Sequence, residues 1–293
     1  MFSIRGQSMK IEEITLEPGL YFVATPIGAA RDITLRALDV LNSADVLAAE
    51  DTRTLRRLMQ IHGVSLRDRK VLPYHDHNGT EMRPRLLEMI AGGQSVAYAS
   101  DAGTPMVADP GFQLAVEAAK SGLMVTTAPG PSAVIAALTI AGLPTDRFLF
   151  AGFPPSAKGA RLKWLAEVLA MPATVAMYET PKRIQRLLAE IAEIGGTDRK
   201  CAICRELTKR FEQVLRGTLA ELAVQATDMP LKGEIVLLVD RDRSETSTND
   251  MEETLRAALK VMSVKDAVTE VSQNLGIPRR QVYQAALAIG KFK

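Results

Sequence analysis

Three glycine- and proline-rich segments directly follow short apolar runs, and they are the first place where this sequence could do chemistry. They are Thr25-Pro-Ile-Gly28, Ser100-Asp-Ala-Gly-Thr-Pro105 and Ala128-Pro-Gly-Pro131. Glycine and proline there let backbone amides approach a ligand without obstruction by side chains. If the apolar runs are strands of one sheet, the segments lie at its carboxyl edge, where open α/β sheets bind ligands. The competing interpretation is that these residues only make tight turns.

The motifs that hold nucleotide phosphates do not accompany these segments. The sequence contains no GxxxxGK[ST], and no G-x-G-x-x-G opens a helix after the first apolar run. The segments offer amides, carbonyls and one acid, Asp101. This set suits a zwitterionic, purine-bearing ligand better than a polyphosphate, and carbonyl oxygens tolerate a sulfonium cation.

Titratable side chains at the predicted strand ends could serve as a general base or orient a hydroxyl group. The candidates are Asp51, His75, His77, Asp101 and Glu206, of which Asp101 is assigned to ligand binding. No metal site is predicted, because a chain with three histidines and no closely spaced acid cluster offers a poor ligand set. Cys201 and Cys204 form a C-x-x-C in a predicted strand, where positions three apart face opposite sides and cannot share a metal or readily form a disulfide.

Alternating strand and helix patterns predict an α/β fold with a largely parallel sheet. Asp32 is predicted to open the first helix, and Thr218-Leu-Ala-Glu221 is a capping box at the start of another. The predicted organisation is a disordered lead-in over 1–18, α/β domains over 19–130 and 131–242, a polar linker over 243–253, and a helical module over 254–293 that resembles a helix-turn-helix.

Bulk composition is that of a soluble globular protein of 293 residues, with a net charge of +2. No apolar run approaches the roughly 18 residues of a membrane span, and the N-terminus has no signal-peptide pattern. Two cysteines fit a reducing compartment. We therefore expect a cytoplasmic protein without membrane association, in which any nucleic-acid surface is a local basic patch.

Nine motifs in one order resemble those of a single family. Three of them are the segments above, the third of which here extends to Ser132. The other six are Ala49-Glu-Asp-Thr-Arg53, His75-Asp-His-Asn78, Asp109-Pro-Gly111, Tyr178-Glu-Thr180, Arg205-Glu-Leu-Thr208 and Lys232-Gly-Glu234. The sequence resembles the ribosomal RNA small subunit methyltransferase I family of the tetrapyrrole methylase superfamily. The resemblance runs from about Leu20 to Asp240, with a similar helical module beyond.

This resemblance implies a class III methyltransferase with two αβα domains and S-adenosylmethionine in the cleft between them, usually as a homodimer. It implies 2′-O-methylation of a cytidine ribose in 16S rRNA, at the decoding centre of the small ribosomal subunit. The cofactor-facing residues that it implies are Pro26, Ser100, Asp101, Ala102, Gly103, Val107, Ser132, Ala133, Tyr178, Glu206, Leu207 and Gly233. The family commonly has Asn where this chain has Ala29, which bears on any polar contact there.

For such a substrate, the catalytic candidates are Asp51, Arg53, His75, His77 and Glu206. The two histidines could face the ribose, or they could be structural members of a hydrogen-bonded loop. Candidate RNA contacts are Arg53, the basic cluster that includes Lys158 and Arg161, and Arg279 and Arg280 in the basic tail.

Two other functions remain open at this point. A tetrapyrrole methylase would share the fold, although such enzymes usually have a glycine-rich first loop ending in Gly-Asp, where this chain has Thr25-Pro-Ile-Gly28. A non-catalytic RNA-binding module is the alternative from a different class. The basic tail would suit it, whereas the full set of loop motifs argues for an enzyme.

Overall fold

The computed structural model describes residues 10–107, 110–228, 233–242, 248–275 and 277–290. The chain divides into two compact units, one ending at Asp240 and the other beginning at Arg241. The first unit contains two five-stranded sheets with helices packed against them. No helix among the described residues is long and apolar enough to cross a membrane.

The first sheet is entirely parallel, as its sequence pattern predicts. Its strands are β1 Gly19–Val23, β2 Val46–Ala49, β3 Val71–Pro73, β4 Ser95–Ala99 and β5 Val125–Ala128, in the order β3-β2-β4-β1-β5. Helices α1 Leu35–Ser43, α2 Thr52–Ile61, α3 Gly79–Ala91 and α4 Phe112–Lys120 lie between these strands in the sequence. Every residue of β1, β2 and β4 is buried, because apolar clusters cover both faces of the sheet.

The start of the first helix differs from the prediction. Asp32 ends a short 3-10 turn, Ala30–Asp32, and α1 begins only at Leu35. The Thr34 hydroxyl accepts the N–H of Ala37 at 3.1 Å and caps the helix. Asp32 is therefore not the capping residue, since Thr34 supplies the acceptor at the true first turn.

The second sheet is mixed, so the prediction of a largely parallel sheet is wrong for this half. Its strands are β6 Phe148–Phe150, β7 Thr174–Glu179, β8 Lys200–Arg205, β9 Gln213–Thr218 and β10 Ile235–Val239, in the order β6-β7-β10-β8-β9. Only β6 and β7 pair in parallel. A short loop joins β8 to β9, and such a connection gives an antiparallel pair.

Helices α5 Ala133–Ala141, α6 Lys158–Leu169, α7 Pro181–Gly195 and α8 Leu219–Asp228 accompany the second sheet. The predicted capping box is confirmed, because Thr218 N–H donates to Glu221 at 2.7 Å and Glu221 N–H donates to the Thr218 hydroxyl at 3.2 Å. Cys201 and Cys204 are buried in two different apolar clusters, on opposite faces of β8, as expected from their spacing.

The prediction of a disordered lead-in is wrong for residues 10–18, while residues 1–9 lie outside the described part. Glu12 N–H donates to Asp39 at 2.8 Å, Arg67 pairs with Glu13 at 2.7 Å, and Ile11 and Leu16 pack against the core. These contacts hold the segment on the first sheet's helices.

The second unit contains α9 Thr248–Ala258, α10 Val264–Leu275 and α11 Arg279–Gly290, which share one apolar cluster. The linker prediction over 243–253 is wrong from Thr248 onward, because Met251 and Leu255 form a buried face of α9. Residues 243–247, the predicted turn residue Gly276, and 291–293 lie outside the described part.

Candidate functional site

The three glycine- and proline-rich loops meet at the carboxyl edge of the first sheet, as expected. The backbones of Thr25 and Gly103 exchange hydrogen bonds of 2.9 and 3.0 Å. The Thr104 hydroxyl donates to the carbonyl of Pro131 at 2.9 Å, which joins the second loop to the third. Gly103 adopts a left-handed φ of 81°, a conformation that glycine adopts without steric cost.

The first loop also joins the two sheets. Ala29 N–H donates to the Thr208 hydroxyl at 3.0 Å, and a Cβ on Gly28 would lie 2.8 Å from the carbonyl oxygen of Leu207. Glycine is therefore required at position 28 for this close approach. Because the contact at Ala29 uses the backbone, it does not depend on the side chain that the family commonly has there.

A cavity of about 330 Å³ lies where these loops face the second sheet, within the size range of small-molecule sites. Its lining includes many of the predicted cofactor residues: Ala102, Gly103, Val107, Ser132, Ala133, Tyr178, Leu207 and Gly233. The other predicted residues, Pro26, Ser100, Asp101 and Glu206, do not line it. Ser100 instead supports the loop, since its hydroxyl donates to the carbonyl of Gly103 at 3.0 Å.

The cavity also has lining residues that the sequence interpretation missed: Ile27, Thr104, Phe153, Glu179, Thr180, Glu234, Ile235 and Val236. Five of them, Ile27, Thr104, Glu179, Thr180 and Glu234, lie inside the motifs quoted above, so the motifs mark these positions as well. Phe153 and Val236 carry no such signal, because only the packing of the second sheet brings them to the cavity.

Aromatic rings and a buried acid form one part of the cavity wall. The Tyr178 ring lies 4.8 Å from that of Phe150 and 5.4 Å from that of Phe153, between ring centroids. Glu179, next in the chain, is 3% exposed. Its Oε1 atom accepts the N–H of Thr180 at 2.8 Å. The Tyr178 and Phe153 rings therefore give this wall a flat apolar surface.

Glu206 does not line the cavity; its carboxylate instead accepts a hydrogen bond from the backbone N–H of Glu234, which does. The side-chain hydrogen bond from Lys209 lowers the pKa of Glu206, which makes it a weaker base. Gly233 has a left-handed φ of 82°, and a Cβ there would lie 2.0 Å from the Glu206 carboxylate. The close approach of these two residues shapes the wall.

Asp51 and Arg53 lie at the end of β2, outside the cavity lining. Arg53 lies 2.6 Å from Asp51, and its side-chain hydrogen bonds lower the Asp51 pKa to about 2. Asp51 N–H also donates to Asp101 at 3.0 Å. Burial, and next the charge of Asp101, raise the pKa of the neighbouring Glu50. A carboxylate with the pKa of Asp51 is a poor general base near neutral pH.

His75 and His77 do not reach the main cavity. His75 is half-buried and lines a second, polar cavity of about 350 Å³ with Arg83 and Phe112, and His77 is exposed. Their ring centroids are 6.0 Å apart. Asn78 fixes the loop by accepting the N–H of His75 at 2.8 Å and donating to the carbonyl of Pro73 at 2.9 Å.

The prediction that Arg161 contacts RNA is wrong. Arg161 is 1% exposed, and its guanidinium donates to both oxygens of Glu190 at 2.6 and 2.7 Å and to the carbonyls of Pro155 and Ser156. Each nitrogen of its guanidinium group therefore already donates to a protein acceptor. By contrast, Arg53, Lys158, Arg279 and Arg280 are exposed. Within the described ranges, no group of three or more His, Cys, Asp or Glu side chains could hold a metal ion.

Two family models match the chain, one within each of its two compact units. The model of the tetrapyrrole (corrin/porphyrin) methylases matches residues 19–223, and that of the RsmI C-terminal HTH domain matches residues 245–290. The chain is 45% identical to ribosomal RNA small subunit methyltransferase I of Mesorhizobium japonicum, over 94% of this chain and 93% of that protein. It is 40% identical to the protein of that name from Mycobacterium tuberculosis, over 90% and 93%.

Solved structures of this fold are more distant in sequence. A diphthine synthase is similar with a TM-score of 0.59 and 17% identity, over 75% of this chain and 89% of that one. Uroporphyrin-III C-methyl transferase from Thermus thermophilus, crystallised with S-adenosyl homocysteine, is similar with a TM-score of 0.52 and 19% identity, over 76% and 97%. At such identity the likeness shows the fold alone.

Proposed function

Because the chain belongs to the ribosomal RNA small subunit methyltransferase I family of the tetrapyrrole methylases, we propose that it transfers a methyl group from S-adenosylmethionine to small-subunit rRNA. The proposed acceptor is the 2′-hydroxyl of a cytidine in 16S rRNA, at the decoding centre. The family resemblance supports this choice of nucleotide, and the site chemistry is compatible with it.

One observation carries the proposal: the three glycine- and proline-rich loops converge with the motifs around Tyr178, Leu207 and Gly233 on a single cavity. The cavity has apolar side chains on most of its surface and a few polar residues, among them Thr104, Ser132 and Thr180. Its volume of about 330 Å³ and its aromatic wall fit a purine nucleoside that carries an amino acid. The residues present therefore fit S-adenosylmethionine.

When bound, the cofactor supplies a methyl group on positively charged sulfur. The protein must then hold the ribose hydroxyl in line behind that methyl group, which can contribute roughly 7–11 kcal/mol. A general base would add a factor of about 10²–10⁴. Asp51 and Glu206 are disfavoured as bases by their lowered pKa values. His75 and His77 stay candidates for orienting the hydroxyl, and positioning is the larger contribution.

The partner we propose is the small ribosomal subunit, bound through exposed cations. Arg53 lies at the edge of the first sheet, Lys158 begins α6, and Arg279 and Arg280 begin α11. A homodimer in the cytoplasm is part of the same proposal, and light scattering of the purified protein tests the dimer.

The test is methyl transfer from labelled cofactor to small subunits that lack the endogenous modification, followed by nucleotide mapping. Label on one cytidine ribose supports the proposal, and subunits that already carry the modification are the matched control. Label on a base contradicts the 2′-O assignment. Label that enters a tetrapyrrole but not rRNA, or cofactor binding without any transfer, contradicts the proposed activity.

A further inference from the structure

One side of α11 carries apolar residues that the core of its own unit does not use. Val282 and Ala286 are buried in the apolar cluster that α9, α10 and α11 share. Tyr283 and Leu287 lie outside this cluster, and each is 48% exposed. A single exposed apolar residue is common on protein surfaces, but these two are four positions apart and therefore adjoin on the helix. The packing of the unit leaves this aromatic and aliphatic strip open to solvent.

Two arginines lie one turn before Tyr283. Arg279 and Arg280 precede it by four and three positions, spacings that make residues neighbours on a helix surface, and both are exposed. Gln284 is also exposed, and its amide can both donate and accept hydrogen bonds. These four residues and Leu287 form the α11 face. An aromatic ring beside cations is the combination with which proteins bind unpaired nucleotides.

The charges of the three helices favour an anionic partner on this face. α9 and α10 together carry five acidic and two basic side chains, whereas α11 carries two arginines and no acid. A polyanion is therefore attracted to α11 and repelled by the two other helices. This complementarity favours a nucleic acid over an apolar protein segment as the occupant of the α11 face.

The exposed ring of Tyr283 indicates which form of RNA fits. The major groove of an A-form duplex is deep and narrow, so side chains cannot read the bases there. In loops and other unpaired segments the bases are free to stack on an aromatic side chain. Arginines alone would suffice for the phosphates of a duplex, whereas a tyrosine ring contributes only where the face of a base is accessible.

We propose that the α11 face binds an unpaired segment of small-subunit rRNA, with one base stacked on the ring of Tyr283. Arg279 and Arg280 contact the adjoining phosphates, and Gln284 and Leu287 extend the same surface along the strand. This inference rests on the proposed function and adds to it the form of RNA that the second unit binds.

The experiment measures the affinity of the full chain for a single-stranded RNA oligonucleotide and for the duplex of that strand with its complement. Fluorescence anisotropy across a salt series gives both affinities. We expect the native protein to bind the single strand more tightly than the duplex. Tyr283→Ala should weaken binding of the single strand by about 5–150-fold, which corresponds to about 1–3 kcal/mol for one stacked base, and leave duplex binding unchanged.

Two variants serve as controls. Tyr283→Phe keeps the ring and should retain the native affinity. Val261→Ala shortens a side chain that is 79% exposed in the same unit but lies between α9 and α10, and it should have no effect. Because Tyr283→Ala removes no charge, its slope of log affinity against log salt should equal the native slope. An equal slope also shows that Arg279 and Arg280 still bind, so unfolding of α11 does not imitate the result.

Three results would overturn the inference. The first is native single-strand affinity in Tyr283→Ala; if that variant also unfolds at a lower temperature, the α11 face contacts protein instead of RNA. The second is an equal loss of affinity for single strand and duplex. The third is a native protein that binds the single strand no more tightly than the duplex. The proposed function fails separately, if the native protein transfers no methyl group to small subunits although its RNA affinity depends on Tyr283.

Discussion

At the scale of single residues, Arg161 shows that a basic side chain can be structural. Arg161 has the charge of an RNA-binding residue, but it is enclosed by Glu190 and two backbone carbonyls. Both partners of this pair are more than nine-tenths buried. Removing one member of such a pair leaves an uncompensated charge in the interior. Arg161 therefore stabilises the packing of α6 against α7 instead of binding RNA.

Replacement of Arg161 should lower stability without changing RNA recognition. We expect Arg161→Gln to reduce the free energy of unfolding by about 3–5 kcal/mol, because Glu190 loses its partner. Urea unfolding measures this change. Lys163→Gln, at an exposed position of the same helix, is the control and should stay within about 0.5 kcal/mol of the native protein. Equal stability of the two variants would show that the buried pair contributes little.

At the scale of elements, the cavity depends on loops whose backbones approach closely. Gly103 and Gly233 both have left-handed φ values, of 81° and 82°, and both line the cavity. The sequence located these loops because their glycines and prolines are local signals that follow apolar strands. It did not locate Phe153, which depends on the pairing of the second sheet, or Glu190, the partner of Arg161, which depends on the packing of α7 against α6. The antiparallel order of that sheet is likewise set by contacts distant in sequence.

Gly233→Ala and Gly196→Ala together distinguish the effect of backbone strain on stability from the effect of cavity shape on ligand binding. Gly233→Ala introduces a Cβ that would lie 2.0 Å from Glu206, whereas Gly196, with a φ of 83°, has open space around it. Each should cost about 1–3 kcal/mol, because an L side chain is strained at these backbone angles. Only Gly233→Ala should also weaken S-adenosylhomocysteine binding, by at least about tenfold, or 1.4 kcal/mol. Calorimetry measures both affinities, and equal affinities would contradict this role of Gly233.

At the scale of the whole molecule, the proposed cofactor cavity and two of the proposed RNA contacts belong to different units of the chain. The cavity lies within the unit that ends at Asp240, while Arg279 and Arg280 lie in the unit that follows. Both arginines begin α11, where positive charge is unfavourable to the helix dipole. A polyanion bound there would offset that cost.

Neutralising these two arginines should weaken binding to the small subunit and leave cofactor affinity unchanged. For Arg279→Gln and Arg280→Gln together, we expect the slope of log affinity against log salt to fall by about 0.7–0.9 per charge removed. Filter binding across a salt series measures the slope. Arg256→Gln is the control, since Arg256 lies 3.6 Å from Glu252 in the same unit. An unchanged slope for the double variant would remove these residues from the RNA surface.

The burial of the two cysteines has a consequence for a protein that stores an electrophile. Cys204 belongs to the apolar cluster that includes Tyr178 and Leu207, directly behind the cavity lining. Burial raises the pKa of Cys204 to about 11 and that of Cys201 to about 12, so neither is a thiolate near neutral pH. The thiolate is the nucleophilic form of cysteine. The two cysteine thiols are therefore protected from alkylation by the activated methyl group of the proposed cofactor.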